Sequence, residues 1–158
     1  MIRIAAVGRL KEPGYRQLCA EYGKRLSAYT RIEISEVKDE PAPQNNSPAQ
    51  DEQVKRAEGQ RLLKQLKEKD TVVLLDRQGQ ELSSEQLAAK LDQLLGSHGG
   101  DLVFLIGGSL GVSPEVRQRA DFILKLSELT FPHNLARIIL LEQLYRSFRI
   151  LNHEPYHK

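Results

Sequence analysis

Two short runs, TVVLLD at 71–76 and DLVFLIGG at 101–108, restrict the fold of this chain more than any other feature. Both are continuously apolar where a half-wet strand would alternate, and both are bounded by turn-forming residues. Strands of that kind are buried on both faces, as in a parallel sheet covered by helices on either side. IRIAAVG at 2–8 has the same character, and DFILKLS at 121–127 supplies a further strand. RIEISEVK at 31–38 sets Ile32 and Ile34 against charged neighbours, which predicts a strand with one wet face.

Helical patterns fill the gaps. Tyr15, Leu18, Tyr22, Leu26 and Tyr29 recur at spacings of three and four, so 14–29 is predicted as a helix. Residues 51–69 form a charged amphipathic pattern with Val54, Ala57, Leu62 and Leu66 inward despite Gly59. Ser83 with Gln86 makes a capping box for the helix of Leu87, Leu91, Leu94 and Leu95, which stops at Gly96. Ser113 and Pro114 suit the N-cap and first position of a short helix. A last helix is expected from Thr130 and Pro132 to about Ile150, ended by Asn152 and Pro155. DEPAPQNNSPAQ, 39–50, is predicted as a surface excursion, because its three prolines continue neither a strand nor a helix. Strands alternating with helices give an α/β fold with a mostly parallel sheet of five to six strands. The 158 residues suit one domain, 1–158. Ile138, Ile139, Leu140, Leu141 and Leu144 make the last helix apolar on more than one face, which predicts cover by a second copy in a homodimer.

Totals exclude more than they suggest. A net charge of +2 and a pI near 8.7 carry no argument for nucleic acid by themselves. Cys19, the one cysteine, forbids an internal disulfide and suits a reducing cytoplasm. No stretch approaches the ~20 apolar residues that span a bilayer, so no membrane is expected. Of His98, His133, His153 and His157, the last two have the i, i+4 spacing of a zinc pair, but Pro155 between them breaks the helix such a pair needs, so no metal is expected. Ser109 lies in G-G-S-L-G, which is not the G-x-S-x-G elbow of a hydrolase.

In parallel sheets ligands bind beyond the carboxyl ends of the strands. Three such ends are unusual here: Leu75-Asp76, Ile106-Gly107-Gly108, and Leu126-Ser127 before ELTFPH. Paired glycines let a ligand approach bare backbone, although the spacing G-G-x-x-G fits neither the dinucleotide nor the P-loop pattern. Arg137, Arg146, Arg149, His153, Tyr156, His157 and Lys158 gather basic and aromatic groups in the last helix and tail, where forks bind phosphates and rings stack on unpaired bases. The EPYHK tail has the length to reach a partner's site.

At LSELTFPHNLARIILLEQLYRSFRILNHEPYHK and FLIGGSLGVSPEV, and less densely along the whole chain, the sequence resembles the ribosomal RNA large-subunit methyltransferase H family of the SPOUT superfamily. Leu129 and Ser147 stand where Met and Ala are common in that family. The resemblance implies that the part from about 71 to 158 is threaded as a deep trefoil knot, a rare exception to topology rules. It also implies a homodimer, S-adenosylmethionine as methyl donor, and cofactor contacts at Leu75, at Gly107 and Gly108, and along Leu126, Ser127, Glu128, Leu129, Thr130 and Phe131. The implied reaction is methylation of N3 of a pseudouridine of 23S ribosomal RNA, pseudouridine 1915, in the assembled ribosome. Attack requires that N3–H lose its proton, so a general base is expected, with His133, His157 and Glu128 as candidates. Arg137, Tyr156 and His157 are the residues expected to grip RNA. A non-enzymatic RNA-binding assembly factor would share the basic tail without binding S-adenosylmethionine. A nicotinamide-dependent oxidoreductase would want an acid about twenty residues beyond its glycines, where Glu128 stands, but its loop spacing is absent.

Overall fold

The computed structural model of the chain describes residues 1–42, 44–97 and 99–158, which leaves His98 outside the described residues. In chain order the elements are β1 (Ile2–Val7), α1 (Pro13–Leu26), β2 (Ile32–Val37), α2 (Pro48–Leu63), β3 (Thr71–Glu81), α3 (Ser84–Leu95), β4 (Leu102–Ile106), α4 (Pro114–Arg119), β5 (Phe122–Lys125) and α5 (His133–Leu151). Among the described residues the five strands make one sheet in the order β2-β1-β4-β3-β5, and every pairing is parallel. The fold is α/β, as the alternating pattern predicts.

The period of two along each strand sorts side chains to opposite faces. Ile2, Ile4, Ala6, Leu102, Phe104 and Ile106 meet Leu26 of α1, Leu87 and Leu91 of α3, and Leu140, Leu141, Leu144 and Phe148 of α5. Ala5, Val7, Val72, Leu74, Val103 and Leu105 meet Leu62 of α2 and Val116 of α4 on the other face. Three layers result, helices on either side of the sheet. Leu140, Leu141 and Leu144 are fully buried, and each such side chain contributes about 1.5–3 kcal/mol of transfer free energy.

That burial alters the argument for a dimer. α5 packs against both α1 and α3, which cover Leu140, Leu141 and Leu144 within one chain and leave Ile139 half-buried. Burial of those three leucines therefore needs no second copy.

Several boundaries differ from the sequence reading. α2 begins at Pro48, inside the expected excursion, because Ser47 and Gln50 form a complete capping box and Pro is tolerated at the first helical position. It ends at Leu63 with Lys64 as cap, not at 69. Gly59 is no concession there: a Cβ would come within 2.5 Å of the Ser113 Oγ, so glycine lets α2 lie close on the start of α4. β3 continues past Asp76 to Glu81. Its pairing with β5 shifts between Leu75 and Gln80, both of which face Leu124, and a Cβ on Gly79 would come within 2.7 Å of the Ile123 carbonyl. The polar RQGQE thus stays in the sheet only by a local excursion with a glycine at the closest approach. α5 starts at His133, with Pro132 as N-cap. Ser113 is the N-cap of α4 but makes no capping bond with its side chain. Among the described residues, no helix is long and apolar enough to cross a membrane, and no group of three His, Cys, Asp or Glu side chains converges as a metal site.

Candidate active site

Beyond the carboxyl ends of β4 and β5, and beside the middle of β3 where its pairing with β5 shifts, the chain encloses a cavity of about 690 Å3. Its walls are Leu75–Arg77, Ile106–Ser109 with Gly111 and Val112, Leu124–Ser127 with Leu129–Phe131, and the opening turn of α5 at Pro132, His133 and Ala136. The three segments picked out in the sequence therefore face one space, although only two are strand ends: Leu75-Asp76 lies within β3, which the sheet carries on to Glu81. Leu75, Gly107, Gly108, Leu126, Ser127, Leu129, Thr130 and Phe131 all line it. Glu128 is not among the lining residues: its side chain is 78% exposed and paired with Lys125, whose hydrogen bond and charge hold the carboxyl below its ordinary range.

The glycines of G-G-S-L-G divide their work. Gly108 and Gly111 are joined by a 3.1 Å bond from the Gly111 N–H to the Gly108 carbonyl, closing a tight turn, and Gly111 has φ +92°, where side chains are strained. Gly107 and Gly108 are crowded from the protein side. A Cβ on Gly107 would come within 2.6 Å of Val112 Cγ1, and one on Gly108 within 2.8 Å of Glu58 Oε1. Close packing of the chain on itself, more than approach of a ligand, demands glycine at both. An ion pair between Asp76 and Arg117 ties β3 to α4, the helix that follows the loop.

A model of the predicted SPOUT methyltransferase family matches residues 1–157, nearly the whole chain. The chain belongs to that family. It is 52% identical over 157 residues, 99% of each chain, to the ribosomal RNA large subunit methyltransferase H of Acetivibrio thermocellus. Among solved structures it is similar to a probable methylase family protein from Haemophilus influenzae Rd KW20, with a TM-score of 0.55 at 12% identity over 99% of this chain and 70% of that one, a likeness of fold.

In this SPOUT methyltransferase chain the candidate bases are separated by their surroundings. His133 lines the cavity, with its Nε2 3.7 Å from where a Cβ on Gly8 would stand. His157 does not. Its Nδ1 is 3.2 Å from Arg146 Nη1, and its Nε2 is 2.7 Å from Glu85 Oε1. Arginine only donates, so Nδ1 accepts and the ring proton sits on Nε2, donated to Glu85; the one basic lone pair is already committed.

The residues expected to touch RNA are also engaged. Arg137 is 2% exposed, donates to Glu36 at 2.7 Å and to the Gly8 carbonyl at 3.3 Å, and so ties α5 to the ends of β1 and β2. It presents no donor at the surface. Burial alone would raise the Glu36 carboxyl, but the Arg137 hydrogen bond, the Leu10 N–H at 2.7 Å and the Arg137 charge together lower it. Tyr156 folds back onto its own helix: its hydroxyl donates to Glu142 at 3.2 Å, its ring meets Tyr145 edge-on at 4.9 Å, and Arg146 lies 4.8 Å over it.

One residue near the site escaped the sequence reading. Glu58 is 5% exposed behind Gly108. A signal was present, because Val54, Glu58 and Leu62 share the i, i+4 spacing of an inward stripe, and a carboxylate at such a place is unusual.

Proposed function

We propose that this chain transfers a methyl group from S-adenosylmethionine to N3 of a pseudouridine in 23S ribosomal RNA within the assembled bacterial ribosome, in the cytoplasm and as a homodimer. The observation that carries the reading is the convergence of three glycine- or leucine-bearing segments, at mid-β3 and the ends of β4 and β5, on one cavity. Near-identity of extent and 52% identity to a ribosomal RNA large subunit methyltransferase H support the substrate class. The split register of β3 against β5, with the chain returning over the same strand ends at 126–132, fits a C-terminal part threaded as a trefoil knot. Leu110 and Leu129, 36% and 73% accessible, leave apolar surface open beside the cavity, which supports cover by a second copy.

The cavity fits the donor in size and chemistry. About 690 Å3 lies within the usual range of a small-molecule site, and Leu75, Ile106, Leu124 and Phe131 offer apolar walls for a nucleoside. Gly107 and the 126–130 segment border the cavity, with the Leu129 N–H already donated to Ser127 Oγ at 3.0 Å, and the loop spacing is not that of a pyrophosphate cradle. Bound there, the sulfonium supplies a methyl that is already activated. What remains for the chain is to hold the target nitrogen in line and take its proton. His133 is the candidate that borders the cavity, so it is assigned the base. Arg137 holds the α5 end of that wall in register with β1 and β2. Tyr156 and His157 reach RNA once the tail leaves Glu142 and Glu85.

The test is methyl transfer to ribosomes lacking the modification, followed by mass spectrometry of the nucleosides. One methylated pseudouridine per ribosome is expected, with naked transcript a poor substrate. Binding of ribosomes without any calorimetric binding of S-adenosylmethionine would favour the assembly-factor reading instead.

A further inference from the structure

We propose that Glu58 is a positioning residue for the cofactor wall: its buried carboxylate backs the Gly107–Gly108 turn and fixes where that backbone meets the methyl donor. This rests on the reading of the cavity as the S-adenosylmethionine site. Glu58 projects from α2 onto the far side of the turn from the cavity. Oε1, Oε2 and the carboxyl carbon lie 2.8, 3.1 and 3.3 Å from where a Cβ on Gly108 would stand, so the whole planar group is laid against that residue. Oε2 accepts the Glu40 N–H at 3.0 Å, while Oε1 is buried with no partner. A buried carboxylate oxygen without a partner is costly, and its retention at a turn that lines a ligand site calls for a function.

The connection extends outward. Arg61, one turn further along α2, donates to the Lys38 carbonyl at 2.8 Å and pairs with Glu40. The segment leaving β2 is thereby fastened to the helix that supports the turn. Glu58 stands at the junction, between the Glu40 N–H and the Gly108 Cα. Fixed dipoles at a binding wall need such support, since a small displacement of the wall weakens every contact made through it.

Five proteins decide the matter: wild type, Glu58→Ala, Glu58→Gln, Gly108→Ala and the Glu58→Ala/Gly108→Ala double variant, each titrated with S-adenosylmethionine by calorimetry and each followed by amide hydrogen exchange without ligand. Glu58→Ala is expected to weaken cofactor binding about tenfold and to speed exchange across 107–112, with KM for ribosomes unchanged. Gly108→Ala alone is expected to weaken binding more, because its methyl strikes the carboxylate. The double variant is then expected to bind more tightly than Gly108→Ala alone, since the obstruction is gone. Glu58→Gln, which can still accept from Glu40, should recover most of the affinity lost in Glu58→Ala. Strictly additive losses, or unaltered affinity in Glu58→Ala, would overturn the proposal. If the wild type itself did not bind S-adenosylmethionine, the cofactor reading would fall, while the exchange data would still judge whether Glu58 holds the turn.

Discussion

The two ends of the sheet are built on opposite terms. At the amino ends of the strands, Arg3 bonds Asp101 at 3.1 Å, the Gln65 carbonyl at 2.7 Å and Asp70. Asp70 in turn accepts the N–H groups of Lys67 at 2.8 Å and Asp101 at 3.1 Å, and Asp121 receives the Val72 N–H at 2.8 Å. Donors and acceptors there are matched to one another. At the carboxyl ends, Glu58 Oε1, Asn134 Oδ1 and Arg137 Nε are buried without partners. Unmatched polar atoms are rare in folded proteins, and among the described residues the cluster around Arg3 and Asp70 contains none while the carboxyl ends contain these three.

If that division holds, injury at the closed end should cost stability alone. Asp70→Ala leaves the Arg3 guanidinium without its buried partner, and urea unfolding should register a loss of about 3–5 kcal/mol. Calorimetry on the fraction still folded should find S-adenosylmethionine affinity intact. A matching loss of affinity would abolish the distinction between the ends.

The reverse is expected at the open end. His133→Ala should lower the rate of methyl transfer to ribosomes about a hundredfold while the thermal midpoint stays close to that of the wild type. A rate as high as the wild type's would remove His133 from the base role.

Acid titration sharpens the contrast with smaller effects of opposite sign. Burial works to raise the Asp70 carboxyl, but the Lys67 and Asp101 N–H groups and the Arg3 charge lower it overall. Its stabilisation is therefore complete above the unfolded value of about 4 and is lost as pH falls through the folded value. Glu58 is raised, by burial first and by the Asp39 charge, against the Glu40 N–H and Arg61. Its native state holds the proton more firmly than the unfolded chain, so stability declines as pH rises from about 4 through the raised value. Compared with wild type, Asp70→Asn should lose its disadvantage in acid, and Glu58→Gln should gain an advantage toward neutral pH. Unfolding free energies of the three proteins between pH 3 and 8 check the sign of both slopes. Parallel slopes would mean that the two ends are electrostatically alike.

Sequence periodicity disclosed the strands and most helices because burial on one or both faces leaves its period in the residue order. TVVLLD and DLVFLIGG could hardly be anything but covered strands. The extension of β3 through RQGQE was illegible, since its pairing depends on a long-range neighbour, β5, and on a glycine whose closeness to Ile123 no local pattern records. Likewise Pro48 and Pro41 look alike in the sequence, yet only the former follows a capping serine, Ser47, that has Gln three residues beyond it. At the site, the three segments were visible as chemistry. What was hidden was which groups are already engaged: Arg137 reads as a free fork until Glu36 and Gly8 are seen beside it, and His157 as a free base until Arg146 is.

The burial of α5 against α1 and the first strand also sets an order of events during synthesis. Ile2, Ile4 and Leu26 leave the ribosome early, but Leu140, Leu141 and Leu144, which cover the same face, are made more than a hundred residues later. The nascent chain must therefore carry an open apolar face through most of its translation, and the core can close only after the last helix has emerged.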